Sequence, residues 1–162
     1  MVGLRTIKRR RRENKTDYKA RKLMLVSGIS RIVVRRTNKH FVLQAVESNE
    51  AQDKVLATIT SKDLLKNGWD AKASGSLKSI PAGYLTGMLM AKKLGKGKYI
   101  VDLGMTRTLT GSRVFAVVKG LIDGGLNISA NEKVFPSEER LNGEHLKPEV
   151  KDMIAKVKGG LA

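Results

Sequence analysis

Residues 8–22, KRRRRENKTDYKARK, are the stretch that most constrains how this chain can fold. Nine of the fifteen residues are Lys or Arg, and only Glu13 and Asp17 are acidic. The stretch offers almost no apolar surface, because Ala20 is small and Tyr18 stands alone. Burying so little surface does not offset the conformational entropy lost on ordering. We therefore expect this stretch, taken by itself, to be disordered.

Two interpretations of the basic stretch remain open at this point. It can be a solvated face or a localisation signal, or it can be an arm that becomes ordered on a polyanion. The first 40 residues carry 14 basic and 2 acidic side chains, whereas the other 122 carry 18 and 13. The formal net charge of +17 is thus concentrated at the front of the chain. Nucleic acid is the commonest partner that neutralises such a charge.

Several classes of protein are disfavoured by the composition. The chain has no cysteine, so disulfide frameworks and thiolate metal sites are excluded. No apolar run approaches the ~20 residues of a membrane span, and no apolar region typical of a secretory signal follows the basic start. Large apolar residues are not interleaved with the basic ones in residues 8–22, as binding to a membrane surface would require. We therefore expect no membrane association.

The sequence gives no positive evidence for catalysis, a metal site or a cofactor. No pair of carboxylates is placed like a catalytic dyad, and His40 and His145 are far apart with no third ligand nearby. Residues 95–98, GKGK, lack the length and the closing Lys-Ser/Thr of a phosphate-binding P-loop. We therefore expect a binding protein without a small-molecule substrate.

The body of the chain predicts an α/β fold with a mixed β-sheet packed with helices. Residues 31–47 predict a β-hairpin, since RIVVRR and FVLQAVE flank a turn at residues 37–40. His40 is expected to be an ordinary turn residue, and Phe41 either a core residue or a base-stacking one. Residues 54–60 predict a third strand, in which Val55, Ala57 and Ile59 share one face.

Two helices and further short strands are predicted beyond this sheet. Ser79 and Pro81 signal the start of a helix that ends at Gly95, and residues 98–103 predict a short strand. Residues 127–129 could form a last strand. A second helix is indicated by apolar residues at i, i+3, i+4, i+7 and i+8, namely Val114, Val117, Val118, Leu121 and Ile122.

The loop at residues 104–111 joins the short strand to the second helix. It carries hydroxyl and guanidinium groups suited to phosphate oxygens, and amides at a helix N-terminus can also hold phosphate. The loop is therefore either a nucleic-acid contact or a polar connection with a capping residue. The side chains concerned, with those that follow the loop, are Thr106, Arg107, Thr108, Thr110, Ser112 and Arg113.

The chain is expected to divide into three parts: a basic arm (1–26), a globular α/β domain (27–130) and a C-terminal extension (131–162). The extension is mostly polar, and residues 134–136 could pin it to the body. It includes a short amphipathic helix whose stripe needs a partner surface, either the chain's own body or another protein. The stripe consists of Val150, Met153, Ile154 and Val157.

Four stretches resemble one family, the universal large-subunit ribosomal protein eighteen in its archaeal and eukaryotic-type form. They are KTDYKAR (15–21), RIVVRRTNKHFVLQ (31–44), LGMTRTLTGSRVFAVVKGLIDGGL (103–126) and VFPSEERLNGEHL (134–146). The resemblance covers nearly the whole chain in family order. It implies a non-enzymatic cytoplasmic protein that binds 5S rRNA and attaches it to the large subunit in the central protuberance. The implied partners are 5S rRNA, 23S-type rRNA and the other 5S-binding protein, large-subunit protein five.

The resemblance also implies where this chain would face RNA. Two alternatives stay open: a general nucleic-acid chaperone without a preference for 5S rRNA, and a nuclease or phosphotransferase, which would need clustered carboxylates for metal that are not visible in the sequence. The implied RNA-binding residues lie in the arm (Lys8, Arg9, Arg10, Arg11, Arg12, Lys15, Tyr18, Arg21 and Lys22), in the hairpin (Arg31, Arg35, Arg36, Asn38, Lys39 and His40) and in the loop region (Arg107 and Arg113).

Overall fold

A four-stranded mixed sheet forms the centre of the protein in the computed structural model, which describes residues 6–49 and 52–161. The strands lie in the order β3-β2-β1-β4, and β1 pairs antiparallel with β2, as β2 does with β3. Strand β4 joins the other side of β1 in parallel. The strands are β1 (Arg31–Arg36), β2 (Phe41–Asn49), β3 (Gln52–Thr60) and β4 (Ile100–Asp102).

The helices occur before, between and after these strands. Two precede the sheet, α1 (Arg9–Arg12) and α2 (Tyr18–Val26), and the 3₁₀ helices Ser61–Asn67 and Ala71–Ser76 follow β3. The remaining helices are α3 (Ile80–Leu94), α4 (Arg113–Asp123), a 3₁₀ helix (Glu132–Val134), α5 (Glu138–Asn142) and α6 (Pro148–Leu161). Among the described residues, no helix is long and apolar enough to cross a membrane.

Helix α3 lies between two hydrophobic clusters. One cluster packs α3 and α4 against the sheet and includes Ile32, Phe41 and Leu121. The other lies around the opposite side of α3 and includes Trp69 and Ile154. Because both sides of α3 are covered, ten of its residues are buried, including Gly83 and Gly87. The buried surface of α3 is therefore wider than the single apolar stripe of an ordinary amphipathic helix.

Most of the expected elements are confirmed. The hairpin turns at residues 37–40, where the Thr37 hydroxyl donates to the His40 carbonyl at 2.6 Å. Phe41 is a core residue with no exposed surface, so its interpretation as a base-stacking residue is wrong. Ser79 caps α3 by accepting from the amide of Ala82 at 3.4 Å.

Two expectations for the strands were wrong. The pairing of β2 with β3 shifts register between Ala45 and Val46, and Val55, which lies beyond this shift, is 50% exposed instead of sharing the buried face of Ile59. Residues 127–129 form no strand, because Asn127 makes only an isolated bridge to Lys98. Residues 70–80 contain a 3₁₀ helix and the buried Leu77.

The basic stretch contains two short helices in this structure, α1 and most of α2. Asp17 caps α2 by accepting from the amides of Lys19 and Ala20 at 2.9 and 3.2 Å. Neither α1 nor α2 has a buried residue, so these two helices are formed by local hydrogen bonds and lie on the surface. The expectation of disorder for the isolated stretch stays a prediction.

The C-terminal extension packs on the chain's own body. Helix α6 buries Ile154, Val157 and Leu161 in the cluster that also contains Leu85 of α3. Phe135 packs against the other cluster, and the carbonyl of Val134 accepts from the amide of Gly111 at 2.9 Å. The partner surface of the amphipathic helix is thus intramolecular.

Candidate nucleic-acid interface

The arm exposes a dense group of cations. All four residues of α1 are arginines, and all four are exposed. Lys8 places its Nζ atom 4.7 Å from the centre of the Tyr18 ring, so this ring is partly covered by a cation. Glu13 pairs with Arg9 at 3.5 Å and with Lys15 at 2.8 Å. These ion pairs are exposed and therefore weak, so another anion can displace the Glu13 carboxylate from Arg9 and Lys15.

The three hairpin arginines have different environments. Arg31 and Arg35 alternate with the buried Ile32 and Val34, and therefore lie on the face of the sheet away from α3 and α4. The Arg31 side chain is only 7% exposed and pairs with Asp53 at 2.6 Å. Arg31, although expected to face RNA, is thus placed inside the protein.

Arg35 and Arg36 are more accessible than Arg31. The Arg35 guanidinium donates to the backbone carbonyl and the carboxylate of Asp102 at 2.8 and 3.1 Å, and its side chain is 43% exposed. Arg36 is exposed at the end of β1. The last hairpin arginine is therefore the one most available to a ligand.

Arg36, Arg107 and Arg113 line one groove of about 580 Å³, which we call the arginine groove. Its wall also contains the exposed Met105 and Leu109. The fold forms this groove because the end of β1 and the N-termini of α3 and α4 meet at the same side of the molecule. Arginines from positions 36, 107 and 113 are therefore brought to one groove by packing, and guanidinium groups are suited to phosphate oxygens.

The other hairpin-turn residues belong to a second groove of about 450 Å³, which we call the lysine groove. Asn38, Lys39 and His40 line it together with Lys62 and Lys78. Sequence reasoning missed Lys62 and Lys78. Strand register could have indicated Lys62, because Thr60 at the end of β3 pairs with Val42 beside the turn.

Two polar atoms at these grooves are buried without a hydrogen-bond partner: Nδ1 of His40 and Oγ of Ser112. Ser112 is the residue before α4, but its hydroxyl does not cap the helix. Ser112 lines the arginine groove and His40 lines the lysine groove. Each groove thus has an unsatisfied polar atom beside its cations.

Chemistry of other kinds finds no support in the described part of the chain. No group of three or more His, Asp or Glu side chains in residues 6–49 and 52–161 could hold a metal ion. The two grooves are lined mainly by cations, hydroxyls and apolar side chains, with Asn38 and His40 in the lysine groove and no carboxylate in either. Such a surface is suited to anions.

An α/β protein with cationic grooves and a basic arm has the features of a polyanion-binding protein, and comparison with known sequences gives the family. Residues 4–99 and 95–131 match the family described as ribosomal large subunit proteins 60S L5 and 50S L18. Over 141 residues the chain is 45% identical to large ribosomal subunit protein uL18 of Methanoregula boonei, covering 85% of this chain and 79% of the relative.

Two further archaeal relatives carry the same name, large ribosomal subunit protein uL18. The chain is 43% identical to that of Methanothermobacter thermautotrophicus, with 85% of this chain and 71% of the relative covered. It is 44% identical to that of Caldivirga maquilingensis, with 85% and 67% covered. The chain belongs to this family of large-subunit ribosomal proteins, in its archaeal type. It is therefore a structural, cytoplasmic component of the large ribosomal subunit and not an enzyme.

Proposed function

We propose that this protein binds 5S rRNA and attaches it to the large subunit in the central protuberance. The observation that carries the proposal is the convergence of Arg36, Arg107 and Arg113 on one groove, in a chain whose four α1 arginines are also exposed. Folded RNA is recognised largely by its shape and by its phosphates and 2′-hydroxyls. A rigid body with cations at fixed positions suits that kind of recognition.

The proposed RNA contacts extend over two of the three parts of the chain, and the third part has a packing role. The arm, residues 1–26, supplies Lys8 to Arg12, Lys15, Tyr18, Arg21 and Lys22, and its first five residues lie outside the described part of the chain. The globular domain, residues 27–130, supplies the two grooves, and Lys62 and Lys78 join Asn38, Lys39 and His40 there. The extension, residues 131–162, closes the second hydrophobic cluster.

The remaining partners follow from the same proposal. A protein that attaches 5S rRNA to the subunit contacts 23S-type rRNA as well, and two separate grooves allow two RNA segments to bind at once. Arg36, just before the hairpin turn, lines the arginine groove, and the turn residues themselves line the lysine groove. Neighbouring ribosomal proteins, including large-subunit protein five, are further proposed partners.

A competition experiment tests the proposal. Labelled 5S rRNA is bound to the full-length chain, and unlabelled 5S rRNA or a duplex RNA of equal length is added. Release by 5S rRNA at far lower concentration than by the duplex supports specific recognition. Equal release by both would contradict the proposal and favour a general nucleic-acid chaperone that uses the same cations.

A further inference from the structure

Asp53 lies where four segments of the chain meet. It is close to the start of β3, directly opposite Ser48 at the end of β2. The Ser48 hydroxyl donates to Oδ1 of Asp53 at 2.7 Å, and Arg31 at the start of β1 donates to Oδ2 at 2.6 Å. Arg31 also donates to the Ser48 hydroxyl. The fourth segment is α2, whose Arg21 donates to the same Oδ2 at 3.2 Å.

One side of this junction lies within the paired strands of the sheet, and the other side is the surface helix α2. Arg31, Ser48 and Asp53 belong to three paired strands, and the Arg31 side chain is 7% exposed. Arg21 belongs to α2, which has no buried residue and exposes Leu23 and Val26. Within residues 6–49 and 52–161, Arg21–Asp53 is the one ion pair that joins the arm to the body.

The Asp53 carboxylate is well suited to hold a cation. Burial by itself raises its pKa. Hydrogen bonds from Arg31 and Ser48, with the charges of Arg31 and Arg21, outweigh that effect and leave the pKa below its usual value. Asp53 is therefore charged near neutral pH, and the strands fix its orientation toward α2.

We propose that Asp53 is a positioning residue that docks the basic arm on the body and thereby raises the affinity of the protein for RNA. This inference rests on the proposed RNA-binding function. A docked arm pays less ordering entropy on binding than a detached one. By charge repulsion alone, the Asp53 carboxylate would weaken binding to RNA. Removing the carboxylate should therefore weaken RNA binding if Asp53 positions the arm, but strengthen it if charge repulsion is its only effect.

The first test needs no RNA. The chain has no cysteine, so a nitroxide on Lys22→Cys labels α2 alone. In the otherwise unchanged protein, the nitroxide should broaden the NMR signals of amides at the start of β3. Asp53→Asn should largely remove this broadening, whereas Asp152→Asn, the same change at an exposed residue of α6, should preserve it. Undiminished broadening in Asp53→Asn, or no broadening in the parent protein, would overturn the proposal.

The second test measures affinity for 5S rRNA at fixed salt. Asp53→Asn should bind about two- to fivefold more weakly, in line with the usual strength of an exposed ion pair, although it gains one positive charge. Asp152→Asn, with the same gain, should bind equally well or slightly more tightly. Asp53→Glu should recover part of the loss. Binding by Asp53→Asn as tight as that of the parent protein would overturn the proposal.

A third variant separates positioning from folding. Arg21→Gln breaks the link to α2 but leaves Arg31 paired with Asp53 and Ser48, so its thermal midpoint should equal that of the parent. It should still lose the broadening at β3, and broadening that persists would overturn the proposal even if Asp53→Asn fails to fold. A protein that shows no preference for 5S rRNA but retains Asp53-dependent broadening would refute the proposed function and leave the docking of the arm supported.

Discussion

The α-carbon of Gly120 in α4 faces the carbonyl oxygen of Tyr84 in α3 so closely that a β-carbon on Gly120 would overlap it. Gly87 of α3 stands in the same relation to the carbonyl of Val117 in α4. Two glycines, one from each helix, thus let the helix backbones come into contact. This contact sets the positions of the N-termini of α3 and α4, and with them the arginine groove.

Gly120→Ala should destabilise the protein by about 2–4 kcal/mol, because backbone atoms on both sides must move to admit a methyl group. Chemical denaturation measures the change in the free energy of unfolding. Gly159→Ala in α6 is the matched control. A β-carbon there meets nothing within 4 Å, so alanine should raise stability by about 0.5–1 kcal/mol through its higher helix propensity. Equal stability of the two variants would show that α3 and α4 can separate without cost.

Arg31→Ala and Arg36→Ala remove the same charge from the same strand but should have different consequences. Arg31 is buried against Asp53, so its loss should lower the free energy of unfolding by about 1–3 kcal/mol. Arg36 is exposed in the arginine groove, so its loss should weaken RNA binding and leave the thermal midpoint unchanged.

A double variant, Arg36→Ala with Lys39→Ala, should weaken RNA binding further, because it affects both the arginine groove and the lysine groove. A fall in its thermal midpoint that matched the loss of binding would assign these residues a structural role.

Deletion of residues 1–22 should reduce both the affinity for 5S rRNA and its dependence on salt. If about six arm cations contact phosphates, a fourfold rise in salt costs the full-length protein roughly a thousandfold in affinity. The truncated protein should show a much shallower slope, measured by filter binding across a salt series. Its circular dichroism should show a folded body, since α1 and α2 contribute no buried residue. A salt slope unchanged by the deletion would remove the arm from the mechanism.

Tyr84→Phe should lower the free energy of unfolding relative to the parent protein, by an amount that depends on pH. Burial raises the pKa of Tyr84 above its ordinary value of 10.0, and the charge and hydrogen bond of Asp123 raise it further. The hydroxyl donates to Asp123 at 3.0 Å. Because the pKa of Tyr84 is higher in the folded state than in the unfolded state, the contribution of its hydroxyl to the free energy of unfolding is complete below pH 10. That contribution is lost as the pH rises above 10.

The free energy of unfolding of Tyr84→Phe should therefore be about 0.5–1.5 kcal/mol below that of the parent protein at pH 7. Urea denaturation at a series of pH values should show this difference shrinking above pH 10. The lysines that titrate in the same pH range are present in both proteins, so their effects cancel in the difference between the two free energies of unfolding. A difference that grew above pH 10 would contradict the raised pKa.

Much of the fold could be predicted because its signals are local. The hairpin was indicated by two β-rich runs around residues 37–40, and α3 by Ser79, Pro81 and Gly95. The stripe from Val114 to Ile122 likewise indicated α4. The prediction failed at Val55, where the register shift that exposes it depends on the partner strand.

The candidate site was predictable by region but not by residue. Charge density identified the arm, the hairpin and the loop, yet it could not distinguish the buried Arg31 from the exposed Arg36. That difference depends on Asp53, which is distant in sequence and is brought to Arg31 by strand pairing. Lys62 and Lys78 were missed for a similar reason, since neither belongs to a basic cluster in the sequence.

By itself the sequence determined the hairpin, the ends of α3, the apolar period of α4, the concentration of positive charge at the front and the family resemblance. These follow from residues close together in the chain, where propensity, capping and alternation act directly. The tertiary structure alone decided which arginines meet in a groove, which one is buried against Asp53, and where α6 packs. Those outcomes depend on contacts between distant segments, because burial and pairing are properties of the whole packed chain.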